Sequence, residues 1–296
     1  MTRSTLTYSL LIFIAGASYG FIVPAIKSAA AIDIYPNTFV PLQYLVAFLV
    51  CIGAMLIRRK TWSSPKELLK LALLGVFTGG TSVCYYSAVS LLPSSAALTL
   101  LFQYIWVSVL IECIHEKRRP STSTIVAIII VLIGTLFATG LLDGSVGYLN
   151  FLGVLFGFGS AVCYALFLYY SGILGSEHPM LLRTTMLTAG GLVFTSIASP
   201  SAYTTAFFDP LTWPFAIGFA ILGILLPTGL INFASPKLTT GMVSIMASSE
   251  LPVGILAAWA IVGDTPSPLV LFGAFLVLAG IVVKQIPTLV QAARKN

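Results

Sequence analysis

Residues 256–283 read LAAWAIVGDTPSPLVLFGAFLVLAGIVV, and residues 108–137 read SVLIECIHEKRRPSTSTIVAIIIVLIGTLF. Each stretch runs through an apolar segment, an acidic residue, a proline four positions later, a second apolar segment and a glycine near its end. Glu116 pairs with Asp264 and Pro120 with Pro268, both 148 apart, and Gly134 pairs with Gly280, 146 apart. Tyr19 of ASYGF and Tyr164 of VCYALF extend the series at 145. Matches in one order at nearly one offset mark an internal repeat.

Composition says what is repeated. The chain has 296 residues, of which 58% are hydrophobic and 8% charged, whereas soluble domains are roughly a quarter charged. The apolar residues gather into ten runs of bilayer-spanning length: 6–27, 36–57, 67–90, 93–114, 123–142, 149–172, 180–199, 211–232, 238–262 and 267–286. Almost nothing is left to form a soluble domain. The first run is longer than a signal-peptide core and nine more follow it, so it reads as the first span.

The net charge is +6, and its placement argues for topology rather than for nucleic acid. With the N-terminus inside and ten alternating spans, every Lys and Arg except Lys27 falls on the inner side. Asp33, Asp143, Asp209 and Asp264 fall on the outer side. This is the positive-inside asymmetry. The four cysteines lie within apolar runs without metal-ligand spacing and read as small core residues.

The expected fold is therefore an all-α polytopic membrane protein with ten transmembrane helices in two five-helix repeats, 1–145 and 146–296. Five is odd, so the second repeat enters the membrane inverted relative to the first. Inverted repeats are the architecture of alternating-access carriers, whose substrate site lies near the midplane between the halves.

Glu250, in SIMASSELPVGIL, is the acidic centre of the ninth run. A charge at that depth costs about 2.5–3.5 kcal/mol on insertion scales, so the side chain must face protein or water. Desolvation works against the charged form of such an acid. Pro252 cannot donate to the carbonyl of Ser248, which predicts a free carbonyl beside the Ser248 and Ser249 hydroxyls. Gln103, 147 residues earlier, is the polar centre of the fourth run. The two are expected to face each other across a central cavity, Glu250 taking up a proton or pairing with a cation and Gln103 hydrogen-bonding the substrate. Interhelical polar contacts worth about 0.6–2 kcal/mol would explain both equally. Tyr19, Tyr164, Tyr85, Tyr86, Trp106 and Asn232 are further candidates. Aromatic rings cradle amphipathic or cationic ligands, though interface belts use the same residues. Lys27 is expected to snorkel, Glu112 to pair with basic loop residues, and Glu116 and Asp264 to mark boundaries or gates.

Residues 93–116, PSSAALTLLFQYIWVSVLIECIHE, and 244–264, SIMASSELPVGILAAWAIVGD, close the two halves. With the two five-span repeats, they resemble the EamA-type ten-span carriers of the drug/metabolite transporter superfamily. The chain departs from the family at Gln103-Tyr104-Ile105, where proline is frequent, and at Asp264, where glutamate is commoner. The resemblance implies a bacterial cytoplasmic-membrane carrier with both termini inside. It also implies export of small metabolites, amino acids or hydrophobic compounds, some with protons.

The expected function is secondary transport of a small amphipathic metabolite, with export and proton coupling as its finer points. The alternatives are an uncoupled facilitator, a channel-like uniporter or an uptake permease. An enzyme is not expected: there is no P-loop, HExxH or nucleophile elbow, and His115 and His178 sit in loops without a metal-ligand pattern. No cofactor or metal is expected. The partners are the substrate, protons and the bilayer, not nucleic acid, with monomer and homodimer both open.

Overall fold

A computed structural model describes residues 2–58, 63–117, 119–139, 150–263 and 265–293. Arg59, Lys60, Arg118, Asp143, Asp264, Arg294 and Lys295 lie outside these residues, as do 140–142 of the fifth expected span and 149 of the sixth. The chain order is α1 (Thr2–Gly20), α2 (Ile22–Ala30), α3 (Pro36–Ile57), α4 (Pro65–Leu91), α5 (Ser94–Leu101), α6 (Tyr104–Glu116) and α7 (Thr122–Ala138). It continues with α8 (Phe151–Ser171), α9 (Met180–Ala198), α10 (Thr212–Ala220), α11 (Leu226–Ala234), α12 (Thr240–Ala247), α13 (Glu250–Val262) and α14 (Pro268–Ala293). The described residues contain no strand. Pro36, Pro65 and Pro268 each open a helix, where the missing N–H would have no partner anyway.

Nine helical segments among the described residues are long and apolar enough to cross a bilayer. The fifth segment in chain order, Thr122–Ala138, is apolar but shorter, at 17 residues. Four of the long segments are broken helices: α1–α2, α5–α6, α10–α11 and α12–α13. Pro24 lies three residues past the break at Phe21, and Pro252 three past the break at Ser249. Each removes an N–H and crowds the carbonyl four residues back. A π-turn over Ile221–Leu225 joins α10 to α11 just ahead of Pro227. The break at Phe102–Gln103 has no proline; it is a tightened turn in which Gln103 N–H donates to Leu100 O at 3.1 Å.

The helices pack in exchanged pairs. α4 lies on α8, and α11 lies on α1; α6 lies on α8, and α13 lies on α1. α3 meets α9, and α7 meets α14. Each contact recurs when first-half helices are replaced by their second-half counterparts. The α4–α9 crossing is the tightest. A Cβ on Gly75 would stand 1.9 Å from Leu187 O, and one on Gly190 the same 1.9 Å from Ala72 O. Without a hydrophobic drive between helices in lipid, such close backbone approach is what holds them together.

Arg183, one of the basic residues assigned to the inner side, is not a solvated loop residue: it is 2% exposed within α9. Its guanidinium donates to Ser171 O and Asn232 O. It thus serves carbonyls near the C-terminal ends of α8 and α11, which lack intrahelical donors and carry the negative end of the helix dipole.

Gly190→Ala forces α9 off α4 and is expected to destabilise by about 1–3 kcal/mol, as overpacking does, lowering the melting temperature of purified protein. Gly53→Ala, where an added Cβ meets nothing within 4 Å, is expected to cause no such loss. Equal melting temperatures for the two variants would refute the close-crossing account.

Candidate functional site

The break that starts α13 puts Glu250 at its first position. Gly20 lets α1 approach: a Cβ there would be 2.8 Å from Glu250 O and 2.8 Å from Gly254 N. The expected free carbonyl at Ser248 is not found. Leu251 N–H donates to it at 3.2 Å, one residue short of the helical span, so the turn itself consumes it. The two serine hydroxyls are also occupied, Ser248 Oγ donating to Ile245 O at 2.7 Å and Ser249 Oγ to Phe13 O at 2.7 Å. The local polar groups satisfy each other, and the carboxylate is left over. Among the described residues, no hydrogen bond or ion pair reaches it.

Glu250 instead faces open space. It lines an inner cavity of about 80 Å³, room for several waters at about 10–15 Å³ each. It also lines a vestibule of about 410 Å³ with Lys27, Thr265 and Ser267, at the end of the molecule away from the basic loops. Glu250 and Tyr85 are shared by both.

Tyrosines wall the inner cavity. Tyr19, Tyr164 and Tyr86 line it with Glu250, as the sequence suggests. Tyr19 meets Tyr164 edge-on with centroids 6.0 Å apart, and Tyr104 meets Tyr164 at 4.6 Å. Tyr44, Tyr85, Gln43, Thr78, Thr81 and Ser82 also line it; of these, only Tyr85 is singled out by sequence. A signal for the others exists in α4. Thr78, Thr81, Ser82, Tyr85 and Tyr86 recur at three- and four-residue steps, a polar stripe down one helix face. Gln43 and Tyr44 carry only the weaker sign of polar atoms in an apolar run.

Three candidates are not brought to this cavity. Gln103 does not line it. Its amide is spent locally, Nε2 donating to Thr99 O at 2.9 Å and Oε1 accepting from Trp106 Nε1 at 2.8 Å. Trp106 is thereby accounted for too, packing beside Phe158. Asn232 is 1% exposed, donates to Thr184 Oγ1 at 3.4 Å and belongs to the α9–α11 contact. The residue that starts α6 as Glu250 starts α13 is Tyr104, 146 positions earlier, not Gln103. Offsets read from sequence run from 145 to 148, and an error of one residue turns a side chain about 100° around a helix of 3.6 residues per turn.

The opposite side is sealed. Ser108 Oγ and Ser244 Oγ are 2.5 Å apart, and Tyr104 OH donates to Ser244 O at 3.4 Å. One turn further along α6, Glu112 accepts from Thr240 N at 3.1 Å and Gly241 N at 3.2 Å, so it caps α12; the ion pair with a basic loop residue that the sequence suggests is absent among the described residues. A carboxylate suits a helix N-terminus, where free N–H groups and the dipole both attract it. Beyond this seal, Glu112 and Glu116 line a cavity of about 260 Å³ beside the basic loops. His178 also differs from expectation: its Nε2 lies 3.3 Å from Glu67 Oε2 and 3.4 Å from Glu177 Oε1.

Against known families, the chain matches the model of the EamA-like transporter family twice, over residues 6–140 and 151–284. It belongs to that family. Among solved structures, one described only as "Crystal structure of protein" aligns with a TM-score of 0.76 over 95% of this chain and 97% of that one. At 17% identity this likeness concerns the fold alone. No curated protein matches.

Glu112→Ala removes both bonds to α12. Charge-assisted hydrogen bonds contribute about 1.5–3 kcal/mol each, so labelling of a Ser244→Cys thiol by a polar maleimide from the basic face is expected to accelerate roughly tenfold or more. An unchanged labelling rate would show that Glu112 does not hold this side closed.

Proposed function

We propose that the chain is a secondary carrier that exports a small amphipathic metabolite by alternating access, with Glu250 as the group that binds it and exchanges a proton. The carrying observation is the unpartnered Glu250 carboxylate on a tyrosine-walled cavity that adjoins a vestibule on one side and a hydrogen-bonded seal on the other. A channel requires a continuous polar path, and a seal through Ser108, Ser244 and Glu112 argues against one.

In this reading the ten apolar segments form two inverted five-helix repeats, with Thr122–Ala138 as the fifth span. The exchanged packing of the halves supports it: a rocking of one bundle on the other keeps α3–α9 and α7–α14 as its constant contacts while α6–α12 opens. The positive-inside asymmetry of the basic loops supports a cytoplasmic position for both termini and for Glu112. The vestibule with Lys27 is then external, and this arrangement is the outward-facing one. Membership of the EamA-like family supports transport as the activity; the coupling role rests on Glu250 alone.

The test is flux in proteoliposomes with metabolites chosen by thermal-shift screening at two pH values. Wild-type protein is expected to show saturable exchange that responds to an imposed pH gradient. Glu250→Gln is expected to lose both the exchange and its response to the gradient, because one carboxylate binds and couples. If both properties persist unchanged in Glu250→Gln, the assignment of coupling to this residue fails. Linear, non-saturating flux would instead favour a channel.

A further inference from the structure

The walls of the inner cavity specify the charge of what enters. We propose that its ligand is a compact protonated amine, an N–H-bearing monocation on an apolar or aromatic body, seated between Glu250 and Tyr164. The proposal deepens the carrier reading and rests on the same cavity.

Three observations converge. Five tyrosines, Tyr19, Tyr44, Tyr85, Tyr86 and Tyr164, line the cavity with Glu250, and no Lys, Arg or His is among its described lining residues. Ring faces carry the negative lobe of the aromatic quadrupole and attract cations. Hydroxyl oxygens accept, and the carboxylate is negative. The polar atoms that line this space offer an anion no matching cation and place a carboxylate beside it.

The hydroxyls are not equivalent. Tyr44 OH is engaged with Ser82 Oγ at 3.3 Å. Tyr164, 5% exposed, has a buried hydroxyl with no partner. A buried polar atom is ordinarily paired, and one left unpaired beside a cavity marks where a ligand atom completes it. Glu250 is likewise unpartnered. The buried, unpartnered Tyr164 hydroxyl and the Glu250 carboxylate, beside ring faces, call for a donor of more than one hydrogen bond that also carries positive charge. A protonated primary or secondary amine meets all of this. A quaternary ammonium meets the rings and the charge but gives Tyr164 nothing.

Zwitterions are disfavoured by where the basic residue among the described lining residues of the two cavities stands. Lys27 lines the outer vestibule and not the inner cavity. An α-carboxylate attached beside an amine held at Glu250 would meet ring hydroxyls and no positive charge. Shared lining at Glu250 and Tyr85 lets an apolar body extend from the inner cavity toward Val89, Leu98 and Ile255 of the vestibule.

The test uses four probes of one shape: benzylamine, trimethylbenzylammonium, benzyl alcohol and benzoate, with phenylalanine as the zwitterion. Binding to purified full-length protein is measured by thermal shift and by microcalorimetry. Benzylamine is expected to bind most tightly, trimethylbenzylammonium about tenfold more weakly, and the alcohol, benzoate and phenylalanine not measurably. Tyr164→Phe, which keeps the ring and the packing, is expected to weaken benzylamine about tenfold and leave trimethylbenzylammonium unchanged, a hydrogen-bond loss without a charge loss. Glu250→Gln is expected to abolish both. Equal or tighter binding of benzoate, benzyl alcohol or phenylalanine overturns the proposal, as does no benzylamine binding or an unaltered benzylamine affinity in Tyr164→Phe. Flux of the same probes, taken as the Glu250-dependent part above protein-free liposomes, separates the two readings. Benzylamine that binds but does not cross overturns the carrier and keeps the amine site. A neutral or anionic probe that crosses while benzylamine is inert does the reverse.

Discussion

A carboxylate at bilayer depth needs water, a cation or a proton, and the architecture around Glu250 follows from that requirement. The span that carries it is broken at Ser248–Ser249, and Glu250 opens the second half as α13. Backbone groups freed by the break are recovered within the turn, at Leu251 N–H and the serine hydroxyls. That recovery is necessary in lipid, where an unpaired backbone group costs several kcal/mol. It leaves the Glu250 carboxylate without a protein partner among the described residues. The cavity is then where that carboxylate obtains its solvation.

The two halves share a packing scheme and differ in chemistry. Tyr104 begins α6 as Glu250 begins α13, so one arm of the pseudo-symmetric pair is an aromatic wall and the other an acid. Glu112 on α6 caps α12, and 146 positions further on α13 carries Ala258, which caps nothing. The seal beside the basic loops therefore has a charge-assisted component that the opposite face lacks at the corresponding position. Here the closed face is the one with Glu112, and the open face is the one with Lys27.

Arg183 belongs to a different kind of constraint. Its guanidinium bridges carbonyls of α8 and α11 from inside α9, tying three second-half helices at the end where the basic loops gather. The same residue type reads from sequence as a topological marker. Burial converts it into a cap, because carbonyls at helix ends are among the few partners that an apolar interior offers a guanidinium.

The sequence alone determined the membrane character, the apolar segments with their approximate ends, the two-repeat organisation and the presence of an acid, Glu250, inside an apolar run. These properties are local or periodic: apolar runs, proline positions and a repeated order of residues need no knowledge of neighbours. It also pointed to Tyr19, Tyr164 and Tyr86 as possible companions of Glu250. Only the tertiary structure decided which polar residues share its cavity. Gln103 was turned away by a one-residue phase difference at the helix break, Asn232 by the α9–α11 contact, while Tyr44 and Gln43 were brought in from α3, more than 200 residues away in the chain. A helix face is set by rotation of about 100° per residue, and which face looks inward depends on partners that one stretch of sequence does not contain.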